Sequence, residues 1–141
     1  MMGRYLAIDY GSKRCGIAVS DPSQMIAYGL ETVASHDLMK FLDGYFQKEA
    51  VECVVVGKPM REDHQPSESF IHVERFVRAF KKRFPKMKVA WEDERFTSKM
   101  AMKSMVAGGV KKSDRRKKEN VDRMSAALIL QSFMEQENNF S

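Results

Sequence analysis

Two short apolar runs lie close together near the start of the chain, Tyr5-Leu-Ala-Ile8 and Cys15-Gly-Ile-Ala-Val19. The stretch between them is too short for a parallel crossover, which takes a dozen residues or more, so the two runs must pair as an antiparallel hairpin. That hairpin lifts the carboxylate of Asp9 to the end of a buried strand, beside a turn carrying Gly11, Lys13 and Arg14. An oxygen ligand, a point of close backbone approach and neighbouring positive charge suit a divalent cation or a phosphate. An aspartate that only ends a strand and opens a turn reads the same way locally. The chemistry therefore depends on whether other carboxylates join it.

The remaining segments predict strands and helices in alternation. Ile26 to Val33 alternates with period two and reads as a third strand. Ser35 is placed to cap a helix, with Asp37 in its first turn and Leu38, Phe41, Leu42, Tyr45 and Phe46 as its apolar stripe. Val51 to Val56 is β-branched and almost wholly apolar, as a strand covered on both faces should be. The polar stretch Arg61 to Ser67 reads as a loop, and a helix from about Ser67 to Phe84 follows, stopped by Pro85. Lys88 to Trp91 reads as a short strand leading into Glu92-Asp93-Glu94-Arg95. Thr97 or Ser98 is placed to cap a further helix through about Ala107, and Asn120 a last one over Val121 to Glu137. The pattern predicts an α/β fold in one domain, residues 1–141: a mixed sheet with helices on its faces.

Charge narrows the choice of partner. The net charge is +5, and six of the 24 Lys and Arg residues fall between Lys111 and Lys118, against the single acid Asp114. Such clustering favours a polyanion. No apolar run approaches the roughly 20 residues of a membrane span, and no signal-peptide pattern opens the chain. Cys15 and Cys53 lie inside predicted strands without metal-type spacing, which predicts reduced core thiols and a cytoplasmic protein. His64 and His72 have no motif neighbours and read as surface or packing residues.

Two more acids stand at element ends. Three consecutive acids at 92–94 are costly to place together unless a cation or basic groups offset their repulsion. Strand alternation alone does not say which of the three faces the site. In the last helix, Asp122 shares the face of Ala126, Ile129 and Phe133, so it heads a stripe that is otherwise apolar. If these ends converge, they form an oxygen-rich pocket suited to Mg2+ or Mn2+ and to phosphodiester hydrolysis, with the basic segment before Asp122 holding the phosphate backbone.

Four blocks now resemble one family, in order and with similar spacing: Ile8 to Asp21, Val56-Gly-Lys-Pro59, Asp93-Glu-Arg-Phe-Thr-Ser98 and Val121 to Gln131. The chain is similar to the YqgF family, also called RuvX-type Holliday junction resolvases, of the RNase H-like superfamily. The resemblance implies a five-stranded mixed sheet, an antiparallel meander plus parallel strands, flanked by helices. It implies a metal-dependent nuclease using Mg2+ or Mn2+, with Asp9, Glu94 and Asp122 as catalytic and metal-binding acids. The implied substrate is structured nucleic acid, either the 5′ end of pre-16S rRNA, with the ribosomal small subunit as a partner, or branched DNA. Lys13 and Arg14 then face the substrate or flank the site, Arg95 contacts phosphate or pairs with Asp93, and Lys111, Lys112, Arg115 and Arg116 bind the nucleic-acid backbone. Related junction resolvases carry a second aspartate one turn along the last helix, where this chain has Ser125. Asp63-His64 stands where the family more often has Asp-Gly.

Other functional classes remain in view. A strand, an aspartate, a glycine-bearing turn and a second strand also mark the phosphate loop of actin-like and sugar-kinase-like phosphotransferases. Those need two domains closing over a nucleotide, more than 141 residues supply. A non-catalytic factor binding RNA or the ribosome would share the basic run, and only the three acids distinguish it. Monomer and weak homodimer are both compatible with the sequence.

Overall fold

The structure, a computed structural model, describes residues 3–60, 67–94 and 118–139, the side chains of 118–120 and 138–139 aside. Its elements are β1 (Arg4–Asp9), β2 (Arg14–Ser20), β3 (Ala27–Ala34), α1 (Leu38–Lys48), β4 (Val51–Lys58), α2 (Phe70–Arg83), β5 (Lys88–Asp93) and α3 (Lys118–Asn139). The five strands form one mixed sheet in the order β3-β2-β1-β4-β5. β1, β2 and β3 make the antiparallel meander, while β4 and β5 add in parallel beside β1. This is the sheet expected from the sequence.

Alternation along the strands divides the core between two faces. Leu6, Ile8, Ile17, Val19, Val54 and Val56 point toward α1 and α2 and meet Leu38, Leu42, Val73, Val77 and Phe80. Ala7, Ala18, Cys53 and Val55 point the other way, onto Ala126, Ile129, Leu130, Phe133 and Met134 of α3. Small residues on that second face let a single helix lie close against the sheet.

Several boundaries differ from expectation. Ser35 caps no helix: Ser35–Asp37 forms a 3-10 turn, and the Ser35 hydroxyl instead donates to the Gly11 carbonyl at 2.6 Å, tying this turn to the hairpin loop. α2 begins at Phe70 rather than Ser67, because Ser67 to Ser69 is spent on a turn, where the Ser67 carbonyl accepts from Phe70 N. Asn120 is not a cap, since α3 already runs from Lys118, and Lys and Glu at its start are good helix formers. The helix expected from Thr97 or Ser98 to Ala107 lies outside the described residues, as does the loop at 61–66 with His64. His72 is exposed on α2, as a surface residue should be. No helix among the described residues is long and apolar enough to cross a membrane.

Both cysteines are free and buried. Burial pushes the Cys53 thiol up to about 11, and the Cys15 thiol is raised for the same reason. An acid with a raised pKa stays neutral below that value, so the nucleophilic thiolate is scarce at neutral pH. In the folded protein both thiols should resist iodoacetamide at pH 7–8, with modification of Cys53 accelerating only as pH nears about 11. Mass spectrometry of pulse-labelled protein checks this, and rapid labelling at pH 7 without unfolding would contradict it.

Candidate active site

The three acids lie at one end of the sheet, each carried there by a different element. Asp9 closes β1, Glu94 follows β5 directly, and Asp122 sits in the first turns of α3. Glu94 extends the parallel pairing one step past β5, its N–H donating to the Lys58 carbonyl at 3.2 Å.

Alternation separates the acidic triplet. Glu92 and Glu94 face α3, while Asp93 faces the other side of the sheet. Glu92 is buried, and its Oε1 accepts from Gln136 Nε2 of α3 at 3.1 Å. Glu94 instead reaches Asp9, and the two carboxyls are hydrogen-bonded.

β4 lies between β1 and β5, so this contact has to pass over a strand. Gly57 makes it possible. A Cβ built there would run into Glu94 Oε2 and would stand 2.7 Å from Ile129 Cδ1. A second glycine acts on the other side of Asp9. Gly16 pairs with Asp9 across the hairpin, and a Cβ on it would strike the backbone of Asp122. Gly16 thus lets the start of α3 descend onto the sheet. Two glycines on the strands flanking β1 bring two acids to a third.

The electrostatics follow from this crowding. Asp9 is held well above the usual carboxylate range, first by burial, then by the charges of Glu94 and Asp122 and by its hydrogen bond to Glu94. Glu94 is also raised, chiefly by burial, with the bond from Asp9 working in the opposite direction and Asp93 adding to the rise. Like charges this close oppose ionising together without a compensating cation, and the hydrogen bond between the two carboxyls requires a proton on one of them.

Asp122 is within electrostatic reach of Asp9 but is turned toward Arg14, with Oδ2 3.4 Å from Arg14 Nε. Among the described residues no group of three or more His, Cys, Asp or Glu side chains is arranged to hold a metal ion. The donor set nevertheless fits a hard cation: all three groups are carboxylates, and two already share one positive charge. A polar cavity of about 200 Å³ opens beside Asp9 and Asp122, lined also by Gly11, Ser12, Lys13 and Arg14.

Lys13 and Arg14 therefore stand at the site, both lining the cavity, and Arg14 is also in contact with Asp122. Arg95, Lys111, Lys112, Arg115 and Arg116 lie outside the described residues. Sequence reasoning missed the roles of Gly16 and Gly57. A glycine inside an otherwise β-branched strand signals close approach of another group, and Val56-Gly57 was such a signal.

Comparison with known proteins places the chain in a family. A family model described as RuvX, Holliday junction resolvase, matches residues 3–136. A protein of Christiangramia forsetii named "Putative pre-16S rRNA nuclease" is 53% identical over 133 residues, covering 94% of this chain and 98% of its own length. A protein of the same name from Bacteroides thetaiotaomicron is 50% identical over 134 residues, covering 95% and 97%. Among solved structures, the Fowlpox virus resolvase in complex with Holliday junction DNA superposes with a TM-score of 0.57 at 14% identity, covering 95% of this chain and 98% of that one. RuvC of Thermus thermophilus superposes with a TM-score of 0.52 at 14% identity, covering 96% of each chain. At such identities the superpositions speak for the fold, which is RNase H-like. With residues 3–136 matched by the family model and relatives about 50% identical over nearly its whole length, the chain belongs to the RuvX family.

Proposed function

We infer that the chain is an endonuclease that hydrolyses phosphodiester bonds of structured nucleic acid with the help of Mg2+ or Mn2+. The observation that carries this reading is the Asp9–Glu94 carboxyl pair, built across an intervening strand with Asp122 in electrostatic reach. Packing alone gives no reason to bury two acids against each other, because their mutual repulsion and desolvation both oppose folding. A site that exchanges a proton for a divalent cation does give one.

Asp9, Glu94 and Asp122 would hold the ion. A bound divalent ion would activate a water and neutralise charge on the phosphate. The chain's own residues set the stage. Gly11 allows a phosphate to approach the turn between β1 and β2, and Lys13 sits beside the same cavity. Arg14 holds Asp122 until a competing charge enters. Arg95 and the basic run Lys111, Lys112, Arg115 and Arg116 are the proposed contacts to the substrate backbone.

Relatives named for pre-16S rRNA favour the 5′ end of that precursor as substrate, in the cytoplasm and near the small ribosomal subunit. The family model's description favours four-way DNA junctions instead. Cleavage of precursor rRNA and of a mobile junction, compared side by side with and without Mn2+, separates the two.

Asp9→Asn removes the shared proton and one charged ligand without changing the shape of the site. It should reduce metal-dependent cleavage by more than roughly 100-fold, the scale on which a single electrostatic stabiliser registers, and leave binding of the same substrate near the parent value. Parent-like cutting by this variant would exclude the nuclease reading. Gly57→Ala should keep the fold while overpacking Ile129 and Glu94. It should cost about 1–3 kcal/mol of stability in denaturant unfolding and reduce cleavage disproportionately, because Glu94 is pushed off Asp9. A variant that is equally stable and fully active would show that the contact over Gly57 has no role.

A further inference from the structure

Trp91 is the chain's single tryptophan. It stands on β5, an outer strand of the sheet, with 36% of its surface open. Here the indole leans on the Phe70 ring at the start of α2, centroids 5.5 Å apart and tilted by 52°. Over the Phe70 ring stands Lys58 Nζ, 5.2 Å from its centroid. An ammonium, a phenyl ring and an exposed indole are thus assembled where β4 and β5 end.

This group is close to the acids without belonging to them. Trp91 faces α2, whereas Glu94 faces α3, so the two lie on opposite sides of the same strand end. Three steps along the backbone separate them, about 10 Å at roughly 3.3 Å each, so a nucleic-acid strand passing round this end from one face to the other spans at least about three nucleotides at 3.4 Å. Met25, Ile26 and Tyr28, also exposed, lie in or just before β3 at the far edge of the sheet.

We propose that Trp91, backed by Phe70 and Lys58, is a stacking platform for an unpaired nucleobase of the substrate, with the Lys58 ammonium facing the attached phosphate. This rests on the nuclease reading above and specifies its substrate: a strand with at least one unpaired base a few nucleotides from the scissile bond. Every base has a π face, so such a platform tolerates any sequence. A base inside a continuous duplex is already stacked on its neighbours and has no face to offer. Aromatic and cation together match a nucleotide's two chemistries, the flat base and the charged phosphate.

Because the indole is unique, its emission reports on the platform directly. The full chain is titrated in EDTA, so that nothing is cut, with a short oligouridine strand and separately with a blunt RNA duplex of equal length. The strand should quench the fluorescence saturably, and the duplex should leave it near its starting level. Anisotropy of a labelled oligouridine should show Trp91→Ala binding about 5- to 150-fold more weakly, the loss of one stacked base. Trp91→Phe should recover most of that affinity, and duplex binding should be unchanged in both variants. If Trp91→Ala fails to fold, the parent titration and Trp91→Phe still decide.

Equal quenching by strand and duplex, absence of quenching at saturating strand, or parent-like affinity in Trp91→Ala would overturn the platform. Cleavage assayed separately keeps the two readings distinct. A parent that quenches but never cuts supports the platform and removes the catalytic assignment. A parent that cuts while its indole is blind to the strand does the reverse.

Discussion

The site depends on one contact: two carboxyls from strands that are not neighbours, meeting across a strand that has no side chain in the way. Asp9 and Glu94 are separated by β4, and only Gly57 on that strand leaves room for them to join. The contact is unfavourable by itself, since burial and like charge both oppose ionisation. Its persistence requires something else to hold the strands in register. That is supplied by the apolar ladder of β1, β4 and β5, with Val54, Val55 and Val56 at its centre, fully buried from both sides.

The third acid is delivered by different means. α3 packs its apolar face on the small residues of the sheet, and Gly16 allows its first turns to touch the hairpin backbone. Asp122 is then close to Asp9 but tethered to Arg14. Two of the three acids are engaged with each other and the third with a cation of the protein itself. A site of this kind is assembled in position yet electrically satisfied, and incoming charge has only to exchange partners rather than reorganise the fold.

Much of this was legible in the sequence, for physical reasons. The hairpin followed from the impossibility of a short parallel return, the covered strand from its run of valines, and α2 from an apolar stripe with Pro85 after it. The alignment of Asp122 with Ala126, Ile129 and Phe133 followed from helical spacing alone. What was not legible needed a third dimension. Alternation could rank Glu92, Asp93 and Glu94 only once the face carrying α3 was known. The Arg14–Asp122 pair joins positions far apart in the chain. Gly57 looked like the end of a strand, because its neighbour in space belongs to another strand. Ser35 looked like a cap, and its hydroxyl went instead to the Gly11 carbonyl, a partner that exists only after the hairpin has folded over it.

On the proposed reading, a divalent cation replaces the proton between Asp9 and Glu94. Crystals of the chain grown with Mn2+ and measured for anomalous scattering test it most directly. The expected map has a peak in contact with the carboxylates of both residues, which then no longer hydrogen-bond to each other. Ordered Asp9 and Glu94 side chains still bonded together at saturating Mn2+, with no peak between them, would contradict it.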